Sequence, residues 1–277
     1  MSRIFEALQR SEAGRKGGFA DLASAFPPPA AEPEISPARS GDLDQFPALA
    51  VSLPRESKVF CLSDKESLGA EKFRFLGVKL RQLQQNQGLK RLLITSTIPE
   101  EGKSTISANL AVTLARKPQH RVLLLEGDLR RPTLGRVFGL ERQTGLSEWL
   151  QGESEAREPI YRLEGVGLWF LPAGAPPENP LELMQSPRLA ELLDRLSEWF
   201  DWIVIDSPPV LPLADTSVWT KSADGVLLVV REGVTQKRQL QRGLQTLDQT
   251  KLLGMVLNSS NNADHKKYYQ RYGPGAP

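Results

Sequence analysis

The chain has 277 residues, 40% hydrophobic and 25% charged, enough to bury one full globular core, and its formal net charge of +2 implies no dedicated nucleic-acid surface. A single cysteine, Cys61, excludes an intrachain disulfide framework and points to a reducing, cytoplasmic setting. No window holds eighteen consecutive apolar residues and no signal-peptide pattern opens the chain, so a soluble protein is expected, reaching a membrane only through a partner.

Residues 1–12 put Ile4, Phe5 and Leu8 on one face of a short amphipathic helix, which reads equally as a docking peptide for another protein or as a segment that folds back onto the domain or stays unstructured. Residues 13–57 are rich in Pro, Ala, Gly and acids, lack apolar periodicity and read as a disordered linker. The folded domain is expected over residues 58–262, followed by a flexible tail at 263–277. From Ser67 to Leu83 apolar residues recur at helical steps. Strands are then expected near 91–96, 121–126, 167–171, 202–206, 226–231 and 253–258, alternating with helices near 103–117, 188–199, 215–221 and 235–248. Such alternation predicts an α/β fold, a mostly parallel sheet covered by helices on both faces. The Pro-rich stretches 172–180 and 208–212 read as loops over its carboxyl edge.

The first of these strands runs into Ile98-Pro-Glu-Glu-Gly-Lys-Ser-Thr105 and then a helix. A loop of this kind points backbone N–H groups at phosphates, Lys103 supplies a point charge to the β and γ oxygens, and the Ser104 hydroxyl can ligate Mg²⁺. Thr97 stands where the usual pattern has glycine, so the motif leans on its context. Two later apolar strands end in carboxylates, one at Glu126 and Asp128, the other at Asp206 before Ser207-Pro-Pro209. An acid at the end of a buried strand is costly unless it meets a cation, and Mg²⁺ on a triphosphate is a natural one. The competing reading is that all three are ordinary strand-end or helix-cap acids. Three of only four tyrosines, Tyr268, Tyr269 and Tyr272, fall in the polar tail beside Lys266, Lys267 and Arg271. A phosphate on each would add roughly −1.5 to −2 charge and reverse the sign of that segment; the alternative is a polar terminus with incidental tyrosines. His120, His265 and Cys61 lack ligand-spaced partners and receive no metal or nucleophile role.

Together, residues 96–105 as Walker A, Glu126-Gly-Asp-Leu-Arg-Arg-Pro132 as a second, A-prime motif and Ile203-Val-Ile-Asp-Ser-Pro-Pro209 as Walker B resemble the bacterial tyrosine kinases of capsule and exopolysaccharide assembly, deviant P-loop ATPases. Residues 223–231, 254–258 and the tyrosine tail extend the likeness over about residues 58 to 273. No eukaryotic kinase signature accompanies it: there is no His-Arg-Asp loop and no Asp-Phe-Gly triplet.

The resemblance implies a P-loop NTPase fold, ATP and Mg²⁺, and autophosphorylation of the tail tyrosines between copies in a homo-oligomer. It implies a membrane-spanning polysaccharide co-polymerase as partner, a cognate tyrosine phosphatase, a place at the inner face of the plasma membrane through that partner, and no nucleic acid. Thr97, Glu101, Gly102, Lys103, Ser104, Thr105, Arg130 and Asn258 would surround the nucleotide, Asn258 against adenine. Ser104, Asp128 and Asp206 would hold Mg²⁺, Lys103 would neutralise developing charge, and Asp128 or Glu126 would orient or deprotonate the tyrosine. Arg130 and Arg131 would grip phosphate, unless they are simply surface arginines. Three positions depart from the family pattern: Glu126 for aspartate, Glu100 for glycine, and Gly77 for the second arginine after Glu71 and Arg74 in the subunit-contact helix. The alternative function is an ATP-binding switch or scaffold with weak or no kinase activity; a partitioning ATPase would need a basic stripe that is not evident.

Overall fold

The computed structural model describes residues 43–152, 158–212 and 214–259. Among them, eight strands form one sheet: β1 (Ala48–Leu49), β2 (Arg91–Ser96), β3 (Val122–Glu126), β4 (Tyr161–Leu163), β5 (Leu168–Leu171), β6 (Trp202–Asp206), β7 (Gly225–Arg231) and β8 (Leu252–Asn258). Their order is β1-β4-β5-β3-β6-β2-β7-β8, and every neighbouring pair is parallel except β4 with β5. The helices are α1 (Phe60–Ser63), α2 (Leu68–Gln87), α3 (Lys103–Ala115), α4 (Leu134–Val137), α5 (Leu146–Gln151), α6 (Pro180–Met184), α7 (Pro187–Trp199), α8 (Asp215–Ser222) and α9 (Lys237–Thr246).

The central strands are apolar along their middles because both faces of the sheet are covered. Alternation along each strand sorts its side chains between two cores. Leu93, Leu123, Leu125, Ile203 and Ile205 pack against α5, α7 and α8, whereas Leu92, Ile94, Val122, Leu124, Trp202 and Val204 pack against α2 and α3. Helix α3 is enclosed between the sheet and α2, and its residues from Ile106 to Ala115 are all buried. Gly77 lies in that contact: a Cβ there would stand 3.1 Å from Thr113 Cγ2, so the missing side chain lets α2 sit close on α3.

The same alternation aims the acids. Glu126 and Asp206 are register partners across β3 and β6, and Asp206 pairs with Ile94 of β2. Each acid follows a residue of the α5–α7–α8 face, so both project toward the side where α3 begins.

Two features of the fold differ from the expected layout. Residues 43–57, read from composition as the end of the linker, belong to the domain: Leu43 is buried, Phe46 packs on Trp199 with ring centroids 6.2 Å apart, and β1 pairs with β4. Tertiary pairing supplies what local propensity lacks there. Strand β4 is also absent from the expected layout; it forms an antiparallel hairpin with β5 and carries β1 on its other side. The N-terminal helix, the linker before Leu43 and the tyrosine tail lie outside the described residues.

Candidate active site

The loop between β2 and α3 carries the first half of the site. Gly102 caps α3 with φ of 89°, and a Cβ placed there would lie 2.2 Å from Asn258 Nδ2. Glycine is required on both counts. Glu100, by contrast, holds φ of 65°, a left-handed conformation without glycine's freedom, at the position where the family usually has glycine. Glu101 turns inward and is fully buried. Its Oε2 accepts the Ile98 N–H at 2.8 Å, while Oε1 accepts the Thr235 hydroxyl and the Arg231 N–H at 3.4 Å. The Asn258 amide donates to the Glu101 carbonyl at 2.8 Å and the Arg231 guanidinium to the Glu100 carbonyl at 3.2 Å. The carboxylate of Glu101 and the amide of Asn258 thus brace the loop from beneath.

Lys103 and Ser104, the first residues of α3, face the acids. Lys103 Nζ lies 3.1 Å from Asp128 Oδ2, and Asp128 also accepts the Arg131 N–H at 3.1 Å. Burial opposes the Lys103 charge, but Asp206 and then Asp128 more than offset it, so its pKa is raised. Asp206 is 1% exposed; its Oδ1 accepts the Ser107 hydroxyl at 3.1 Å and its Oδ2 has no hydrogen-bond partner. Burial pushes the Asp206 carboxyl up to about 6 against the pull of Lys103 and the Ser104 and Ser107 hydroxyls.

Glu126 sits differently. Its Oε1 accepts the backbone N–H groups of Thr133 and Leu134 at the start of α4, and its Oε2 accepts the Ala173 N–H at 3.2 Å. Burial raises its carboxyl to about 7, with these amides pulling the other way. Between the two candidates for a tyrosine-facing acid, Asp128 lines the nucleotide cavity and Glu126 does not.

That cavity measures about 590 Å³ and is bounded by Pro99, Glu100 and residues 102–105 of the loop and helix start, by Asp128, Arg130, Arg131 and Thr133, and by Pro209 and Pro212. Arg130 reaches it with its guanidinium already committed, Nε to Asp215 Oδ2 at 2.6 Å and Nη2 to Oδ1 at 3.2 Å. Thr97 and Asn258 do not line the cavity: Thr97 is buried under Gly243, and Asn258 is occupied by the loop. Four residues of the site escaped the sequence reading, Ser107, Thr133, Asp215 and Thr235. Thr133 had a faint signal in following the Arg-Arg-Pro segment; Thr235 had none.

The chain matches the AAA domain family over residues 100–253. It is 33% identical to the tyrosine-protein kinase YwqD of Bacillus subtilis over 77% of this chain and 90% of that one. It is 32% identical to the putative tyrosine-protein kinase CapB of Staphylococcus aureus over 78% and 96% of the two chains. The crystal structure of the chimerical protein CapA2B2 superposes with a TM-score of 0.70 at 33% identity, covering 78% of this chain and 96% of that one. With a P-loop braced on a parallel sheet, a Lys103–Asp128 pair beside a buried strand-end aspartate, and these relatives, the chain belongs to the bacterial tyrosine kinases, protein-tyrosine kinases built on the P-loop ATPase fold.

Proposed function

We propose that this chain transfers the γ-phosphoryl group of ATP to Tyr268, Tyr269 and Tyr272 of a neighbouring copy, and through that charge change regulates capsule or exopolysaccharide polymerisation and export. The observation that carries the reading is Asp206 Oδ2, a fully buried carboxylate oxygen without a protein partner beside Lys103 and Ser104. Such an atom fits a metal ion bound with a nucleotide, and Gly102, Lys103 and Ser104 line the cavity in which the phosphates would sit. Ser104 and Asp206 would hold Mg²⁺, directly or through water, with Asp128 close by. The ion would neutralise charge on the β and γ oxygens.

The phenol oxygen of a tail tyrosine forms the new bond to the γ-phosphorus while the bond to the β,γ-bridging oxygen breaks and ADP leaves with that electron pair. Lys103 neutralises the developing charge. Asp128 orients the phenol and takes its proton. A membrane-spanning co-polymerase would recruit and activate the chain at the inner face of the membrane, copies would meet in a homo-oligomer to exchange tails, and a cognate phosphatase would reset them.

Incubating the full chain with Mg-ATP, with and without the cytoplasmic peptide of its membrane partner, and reading intact mass tests this. Stepwise phosphate additions, absent from Lys103→Met and from Tyr268/Tyr269/Tyr272→Phe, support it. ATP binding without any addition favours a nucleotide-switched scaffold, the reading encouraged by the commitment of both Glu126 oxygens to backbone amides.

A further inference from the structure

Beyond the residues the motifs mark, a chain of contacts runs from Glu126 to Ser104. The Thr133 hydroxyl donates to Ser104 Oγ at 2.9 Å, tying the A-prime loop to the first turn of α3. A serine oxygen has two lone pairs and one proton. Thr133 takes one lone pair and thereby fixes the direction of the other. Thr133 in turn is the N-cap of α4, a helix of 4 residues that has little intrinsic stability to hold its own start in place. What anchors it is the Glu126 carboxylate, which accepts the Thr133 and Leu134 N–H groups with one oxygen and the Ala173 N–H with the other. Glutamate carries one methylene more than aspartate, a reach of roughly 1.5 Å, and spends it on spanning from the end of β3 to the start of α4.

We infer that Thr133 is a positioning residue that aims Ser104 at the metal ion of Mg-ATP, and that Glu126 acts through Thr133 as its anchor rather than as a proton acceptor. The inference rests on the reading of Ser104 as a metal ligand. Thr133 touches no reacting atom in this scheme; removing its hydroxyl leaves Ser104 present but without the contact that directs its second lone pair. Outer-shell partners of metal ligands typically matter at the level of tenfold to a hundredfold in metal affinity.

The test is ATP affinity of the full chain by calorimetry, once in MgCl₂ and once in EDTA, for Ser104→Ala, Thr133→Val, Thr133→Ser, Glu126→Ala and the Glu126→Ala/Thr133→Val double variant. Thr133→Val should cut the gain in affinity that Mg²⁺ confers by about tenfold, the low end for an outer-shell partner, while the EDTA value stays within about twofold. Thr133→Ser should restore the gain. Glu126→Ala added to Thr133→Val should lower it no further; if Glu126→Ala does not fold, the two Thr133 variants carry the test. An unchanged gain in Thr133→Val beside a lost gain in Ser104→Ala overturns the inference and leaves the Ser104 reading standing. A retained gain in Ser104→Ala removes the metal-ligand reading, and the inference with it. Equal weakening of Thr133→Val in both buffers assigns Thr133 a role in pocket shape and likewise overturns the inference.

Discussion

Lys103 Nζ and Asp128 Oδ2 stand 3.1 Å apart, so the cation of the phosphate loop and the second acid of the A-prime segment form an ion pair within one protomer. Asp206, buried and with one oxygen unpartnered, also draws on the Lys103 charge. Replacing Lys103 with methionine therefore does more than remove a phosphate ligand: it strands two buried carboxylates. The unfolding free energy of Lys103→Met should fall by about 2 kcal/mol at pH near 8, below the full cost of a broken buried pair because Asp206, already raised by burial, can take up a proton. Urea unfolding near pH 5.5 should show a smaller loss. An equal loss at both pH values would mean that the loss comes from the packing of the Lys103 side chain and not from stranded charge.

Asn258 donates to the Glu101 carbonyl at 2.8 Å, and we propose that it serves as a brace for the loop rather than as a contact for adenine. Asn258→Ala should weaken ATP and GTP by the same factor, about fivefold for one lost hydrogen bond to a partly buried carbonyl. A change in the ATP to GTP ratio would restore the adenine role. Gly102→Ala should weaken both by more than Asn258→Ala does, because alanine must hold φ of 89° and its Cβ also displaces the same amide, 2.2 Å away.

Much of this site was legible because each signal was local. Burial on both faces gives β2, β3 and β6 the apolar runs 92–94, 122–125 and 202–205; Asp206 ends the last of them, and Lys103 and Ser104 come one loop after the first. The brace beneath the loop was not legible, since Glu101 meets Thr235 from a turn 134 positions away that carries no motif. The sequence reading sets Glu101 among the residues around the nucleotide; burial sends it inward and leaves Glu100 on the cavity. Strand β1 escaped for another reason: Ala48 and Leu49 have no strand signature of their own and pair only because β4 is there.

Glu100 holds a left-handed backbone at φ of 65°, which costs a non-glycine residue about 1 kcal/mol. Glu100→Gly should therefore raise the unfolding free energy by up to that amount, less the extra entropy glycine brings to the unfolded chain. It also removes a carboxylate from the cavity wall, so ATP should bind several-fold more tightly at low salt, with the difference shrinking as salt screens the charge. Urea unfolding and calorimetry in two salt concentrations check both parts; weaker ATP binding would show that the Glu100 side chain helps to shape the entrance.

Burial lifts Glu126 from 4.5 to about 7 and Asp206 from 3.8 to about 6. Both folded-state values lie above the unfolded ones, so between pH about 4 and 7 the native chain binds more protons than the unfolded chain. Stability then falls as pH rises through that window, the reverse of the usual behaviour of a carboxylate that an ion pair holds below its ordinary range. The thermal midpoint in EDTA should drop from pH about 5 to about 7.5. Asp206→Asn should flatten the lower part of the slope and Glu126→Gln the upper part, since each removes one of the two titrations. Mg-ATP should flatten it as well, because a cation beside Asp206 favours the charged form and returns that carboxyl toward its ordinary range. A midpoint that rises with pH across this interval in the wild-type chain would show that the three amides on Glu126 outweigh its burial and that it is anionic throughout.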